Sequence, residues 1–347
     1  MGTAAGAESV EPPRERGWGR IVLVLLALAV LPAIPLLRVI IPIADPLVLI
    51  APLAAALAIA GWRQGGRGAL ALLWGAVAGW ILWRASRGGA PYGEFVVGWS
   101  VLLAVTFGIS ASVIPGRGSL LPRSLAALGG ALIGGVVLIA MVPGGWSGAV
   151  AMIGEDVGRR AVLATREWQA MTATPEWQEL MGRSSTWEES SRTVERQLSL
   201  VPGPARQLFL AMLALQGMVA MALSWAVYHR VATVRLGPPL ASVRTLRFPD
   251  ALVWGMIVGL ALLAVPLPGP LRIVGLDLTV FFGALYALRG LGVLVWFLTP
   301  GRWMSAVYLL LTLLFWPVVG AVALALGLGD TWFDWRRATR RESQRSE

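Results

Sequence analysis

Nine apolar stretches run along the chain, at about residues 21–43, 46–62, 68–84, 95–115, 124–143, 206–228, 250–266, 272–298 and 304–327. Each is close to the roughly 17–25 residues a bilayer-crossing helix needs, so each predicts a membrane helix. The first, opening IVLVLLALAV, has no small-residue cleavage site and reads as a retained helix rather than a signal peptide. One polar insert, 144–205, separates the fifth stretch from the sixth. Within it Val150, Ile153, Val157, Ala161, Ala164, Trp168 and Met171 recur at steps of three or four, which is one face of a helix. Glu155, Asp156, Arg159, Arg160, Arg166 and Glu167 fall largely off that stripe. Thr174 and Pro175 read as the cap and first residue of another helix, and Thr186 with Glu189 as a capping box. Short amphipathic helices on the membrane surface or over the end of a bundle fit this pattern. The chain thus divides into a polar N-terminal tail (1–20), N-terminal membrane helices (21–143), the insert (144–205), C-terminal membrane helices (206–327) and a basic, aromatic tail (328–347).

The expected class is an all-α polytopic membrane protein, a bundle of eight or nine transmembrane helices with an extracytoplasmic amphipathic helical insert. Composition agrees: 56% of residues are hydrophobic and only 14% charged, against about 25% charged in an ordinary soluble domain. Charge then suggests an orientation. Arg14, Arg16 and Arg20 place the N-terminus in the cytoplasm, and Arg63, Arg67, Arg117, Arg123, Arg230, Arg235, Arg244 and Arg247 fall in alternate loops, as the positive-inside bias expects. The insert carries six Arg against eight Asp or Glu and falls outside. Arg84 and Arg87 resist this scheme. Nine crossings would also leave the Arg-rich C-terminus outside, which favours eight spans, with 250–266 as the short or re-entrant segment.

The net charge of +10 does not indicate nucleic acid, because these arginines are spread through loops rather than gathered on one face. With no cysteine and one histidine, His229, disulfides, thiolate nucleophiles, Fe–S clusters and Cys/His zinc sites are excluded. No G-x-S-x-G occurs, and the absence of lysine removes the phosphate-cradling G-x-x-x-x-G-K-[ST] loop. EESSR at 188–192 falls one residue short of the glutamate-pair motif of CAAX-type intramembrane proteases, which also need histidines on further helices. No catalytic residue, metal site or cofactor is expected, and the protein is expected not to be an enzyme.

Polar groups inside apolar stretches are costly and mark candidate sites. Arg289 lies well inside the eighth stretch and Asp277 near its other end. Twelve helical residues, about 18 Å, keep them from pairing, so Arg289 needs another partner, a polar cavity or the interface. With Tyr286 and Trp296 these two residues form the candidate ligand-binding set. Gly130 with Gly134, and Ala29 with Ala33, have the small-xxx-small spacing of close helix packing. In the tail GLGDTWFDWRRATRR, Asp330 is placed as a helix N-cap and Asp334 beside Arg337, while Trp332, Trp335 and Arg336 form a membrane-surface anchor.

That tail, a D-x-W/F-x-D-W/F-R pattern after a terminal apolar helix, resembles the DUF2232 (YybS-like) family of bacterial integral membrane proteins. The stretches VPGPARQLFLAMLALQGMVAMALSWAVYHRV, LRFPDALVWGMIVGLALL and IVGLDLTVFFGALYALRGLGVLVWFL fit the same resemblance, which covers about 200–341 well and the first half by hydropathy. The family position matching Asp277 is more often Asn. The helical layout of the family is similar to the substrate-binding membrane subunits of energy-coupling-factor vitamin transporters, and also to small scaffold proteins of the cell-elongation machinery. The resemblance therefore implies a multi-pass protein of the bacterial cytoplasmic (inner) membrane. Its expected role is transport or binding of a vitamin- or metabolite-type small molecule, beside ATPase and coupling subunits. The alternative is a non-enzymatic scaffold or regulator among envelope-assembly proteins. The lipid bilayer is the partner expected in either case, and nucleic acid in neither.

Overall fold

The computed structural model describes residues 17–113, 119–141, 144–246, 248–298 and 315–333, with isolated positions between 301 and 311. All regular structure among the described residues is helical. Among the described residues, five helices are long and apolar enough to cross a membrane: α4 (Gly68–Ser86), α5 (Pro91–Val113), α6 (Leu120–Met141), α11 (Phe209–Val231) and α13 (Gly269–Leu298). Shorter apolar helices are α1 (Gly19–Val30), α3 (Leu47–Arg63), α12 (Val253–Ala264) and α14 (Trp316–Phe333).

The first apolar stretch is not one helix, contrary to expectation. After α1 a 3₁₀ turn, Leu31–Ala33, leads into the short α2 (Pro35–Ile40). Pro32 and Pro35 each remove a helical N–H donor, and Ile34, preceding proline, is extended. The bared backbone is re-satisfied: Arg38 Nε donates to the Pro32 carbonyl at 2.8 Å. Beyond α2 the Gln216 side chain both accepts from Ile43 N–H and donates to its carbonyl, and Tyr92 donates to the Pro42 carbonyl. Irregular backbone at membrane depth persists where protein groups complete it in this way.

The insert folds as α7 (Gly145–Thr172), α8 (Pro175–Arg183), α9 (Ser185–Leu200) and α10 (Pro202–Gln207). The centre of the expected stripe, Val157, Ala161 and Ala164, is buried against Val39, Leu198 and Ala205, whereas its ends, Val150 and Met171, are exposed. Asp156, expected off the stripe, is buried, where Arg159 and Arg160 neutralise it. Pro175 is the first residue of α8 as expected. The Thr186–Glu189 capping box does not form, because α9 starts earlier, with Ser184 at its cap position. Arg160 also donates to the Ile41 carbonyl and Arg38 pairs with Glu167 at 2.7 Å, which fastens the insert to the end of the bundle.

The helices alternate between this insert end and an opposite loop end. Arg230 near the end of α11 bonds the Gly17 carbonyl before α1, so both termini of that pair share the loop end. The 232–246 segment folds back there: Trp225 donates to the Pro238 carbonyl, and both ring nitrogens of His229 lie 3.0 Å from carbonyl oxygens, those of Trp225 and Gly237. Arg123, expected in a loop, is fully buried on α6, donating to the Leu236 carbonyl at 2.6 Å and lying 5.3 Å from the Trp225 ring. Arg84 and Arg87, at the insert end of α4, stack on Trp80 and Trp83, and Arg84 pairs with Asp45. Of the small-residue pairs, Gly130 and Gly134 pack against Thr106 and Leu102 of α5, while Ala29 and Ala33 are exposed.

Candidate functional site

The long α13 is flanked by a different short helix on each half of its length. Toward the insert end it packs on α12, with Gly255 against Phe282 and Gly259 against Gly275 and Thr279. Toward the loop end it packs antiparallel on α14. A Cβ at Gly290 would lie 1.7 Å from the Ala323 carbonyl oxygen, and one at Gly327 only 1.9 Å from that of Tyr286. Only glycine permits such backbone-to-backbone contact. The start of α12 and the end of α14 therefore meet beside the same turn of α13.

Arg289 occupies that meeting point. It is 5% exposed, with Nε 2.9 Å from Asp330 Oδ2, Nη2 3.0 Å from the Asp330 carbonyl oxygen and Nη1 2.8 Å from Asp250 Oδ1. Asp330 is itself 1% exposed, whereas the Asp250 side chain is 62% exposed. The guanidinium carbon also lies 5.3 Å from the centre of the Phe248 ring, which meets fully buried Tyr286 edge-on at 5.3 Å. Among the described residues the cluster joins two carboxylates and a guanidinium from three segments of chain.

Of the four candidate ligand residues, the structure brings Arg289 and Tyr286 together and leaves the other two elsewhere. Asp277 lies toward the insert end, where Oδ1 accepts the Ala211 N–H at 2.9 Å. It thus caps the N-terminus of α11 from a neighbouring helix, placing negative charge at the positive helix end. Trp296 lies toward the loop end beneath Arg244, 4.8 Å away. Asp330 is not an N-cap: it sits inside α14, which continues to Phe333, because the carboxylate is held by Arg289 rather than by its own backbone. Trp332 is exposed beside the middle of α13. Trp335, Arg336 and the Asp334–Arg337 pair lie outside the described residues, as do Arg14, Arg16 and Arg117. Glu188 of EESSR pairs with Arg192 on the exposed face of α9.

Asp250 and Asp330 are the partners that sequence reasoning missed. A signal for them existed: a buried arginine in an apolar helix requires a counter-charge, and few acids flank the C-terminal stretches.

Described residues whose regular structure is all helical, with several membrane-length helices and a buried intrahelical arginine, define a multi-pass membrane protein. The family model described as "Predicted membrane protein (DUF2232)" matches residues 100–331, and the chain belongs to that family. The match begins inside α5 and includes the insert, well before residue 200 where the quoted motifs start, and it ends before most of the aromatic tail. No curated protein and no solved structure matches the chain.

Proposed function

We propose that the protein is a membrane-embedded component of a small-molecule transport system, with the Arg289 cluster as its gate or ligand site. The observation that carries this is the meeting of two short helices, α12 and α14, at a buried ion-pair cluster part-way along α13. Interrupted helices meeting at charged groups within the membrane are a recurrent way to build a transport site. Exposed Asp250 would give a ligand access, and Arg289 released from it would bind a carboxylate or phosphate bidentately. On this reading the bundle would act like the substrate-binding subunits of energy-coupling-factor transporters, with the insert roofing one end and ATPase and coupling subunits as partners.

A second reading has its own support. Nε, Nη1 and Nη2 of Arg289 are all engaged by Asp330 and Asp250, as a static clasp in a non-enzymatic envelope scaffold would have them. In both readings the protein is not an enzyme and sits in the bacterial cytoplasmic membrane with its N-terminus inside. The arginines gathered at the loop end, among them Arg63, Arg67, Arg230 and Arg235, support that orientation.

Purification of the tagged full-length protein from its host in nanodiscs, followed by mass spectrometry of co-purifying proteins and metabolites, tests the proposal. An ATPase pair with a coupling subunit, or a stoichiometric metabolite lost on Arg289→Leu, is the expected result. Recovery of envelope-assembly proteins, with no metabolite, would replace it with the scaffold reading.

A further inference from the structure

Away from the Arg289 cluster, α3, α4 and α5 enclose an apolar groove of about 490 Å³. α3 and α5 touch through Ala56 and Gly108, where an added Cβ would come within 3.2 Å of Ala56. α4 packs on α3 but stands off from α5, and a Cβ at Gly75 or Gly79 meets nothing within 4 Å. Apart from Ser112, whose hydroxyl donates to the Gly108 carbonyl, the lining is otherwise aliphatic, with Pro52 toward one end and Arg63 at the other, eleven residues or about 16 Å apart along α3.

Aromatic residues fix the depth of the groove in the bilayer. Trp62 is exposed at the loop end of α3, and Trp80 and Trp83 at the insert end of α4, marking the two interfaces. α3 spans 17 residues, about 25 Å, close to the thickness of the hydrocarbon core. The groove therefore lies at acyl-chain depth and Arg63 at headgroup depth. Neither Arg63 nor Arg67 makes a side-chain hydrogen bond or ion pair among the described residues. Spread over about 16 Å of α3, 490 Å³ gives a cross-section of about 30 Å², a closer match to a hydrocarbon chain than to the roughly 80–110 Å² of a helix 10–12 Å across. A hydrocarbon chain does fit.

We propose that this groove binds one anionic phospholipid, an acyl chain lying between α4 and α5 along α3 and the headgroup phosphate paired with Arg63. Arg67, at the far end of the turn joining α3 to α4, adds to the positive potential that selects an anionic headgroup.

The test uses the full chain in nanodiscs of phosphatidylcholine containing a minor fraction of phosphatidylglycerol, released and weighed by native mass spectrometry. One phosphatidylglycerol is expected to remain on each chain in preference to phosphatidylcholine. Arg63→Gln should lower that retention roughly fivefold, the effect of one basic group near an anionic headgroup. Gly79→Leu, which enters open space, should lower retention of either lipid while size-exclusion and circular-dichroism profiles stay unchanged. Equal retention of the two lipids by the native chain, or undiminished phosphatidylglycerol in Arg63→Gln, would overturn the proposal. If Gly79→Leu fails to fold, the exposed Arg63→Gln variant still decides it.

Discussion

Arg289, Asp330 and Asp250 differ in what each would cost to remove, because they differ in exposure. Deleting one partner of a buried ion pair strands the other charge, at about 3–5 kcal/mol. Asp330→Leu leaves Arg289 only the mostly exposed Asp250 as counter-charge and is expected to destabilise the protein by up to about that much, read as a loss of thermal stability in detergent. Asp250, mostly exposed, should contribute under about 1 kcal/mol, so Asp250→Ala should leave the melting temperature nearly unchanged. Combining Arg289→Leu with Asp330→Leu should recover much of the loss, since an apolar pair removes the stranded charge. If Asp250→Ala proved as damaging as Asp330→Leu, this account of the cluster would be wrong. Asp277 calls for a different test. As a cap on α11 it needs an acceptor oxygen and not a charge, so Asp277→Asn should retain most of the stability that Asp277→Leu loses, about 1 kcal/mol.

At the scale of helices, the α13–α14 contact depends on two absent side chains. Gly290→Ala or Gly327→Ala would push a methyl group into a carbonyl of the facing helix and force the pair apart. Overpacking of this kind costs about 1–3 kcal/mol or more, and here it would also pull Asp330 from Arg289. Both variants are expected to lower thermal stability more than Gly79→Ala, which enters open space; equal effects would argue against the contact. Element positions were mostly legible in the sequence because a membrane helix is a local property, about 17–25 apolar residues in a row. Where the reading failed, a polar group found its partner far away. Arg123 packs inside against the Leu236 carbonyl, and Asp330 stays helical through Arg289. The break at Pro32 and Pro35 was legible in principle, and the apolar run masked it.

For the whole molecule, the alternation of insert end and loop end makes a topological prediction. The chain lacks cysteine, so single cysteines report cleanly. Ser190→Cys on exposed α9 should react with an impermeant maleimide on intact cells, and Ala241→Cys only after permeabilisation. The reverse pattern would invert the orientation proposed from the arginines. The sequence by itself determined that this is a helical multi-pass membrane protein, the position of most of its helices and its family. The bilayer imposes length and apolarity on each segment separately, and composition records them directly. Tertiary structure alone decided what its buried charges do. Asp250 and Asp330 lie 39 and 41 residues from Arg289, beyond the reach of any helical period, and meet it only because glycines let α12 and α14 both close on α13.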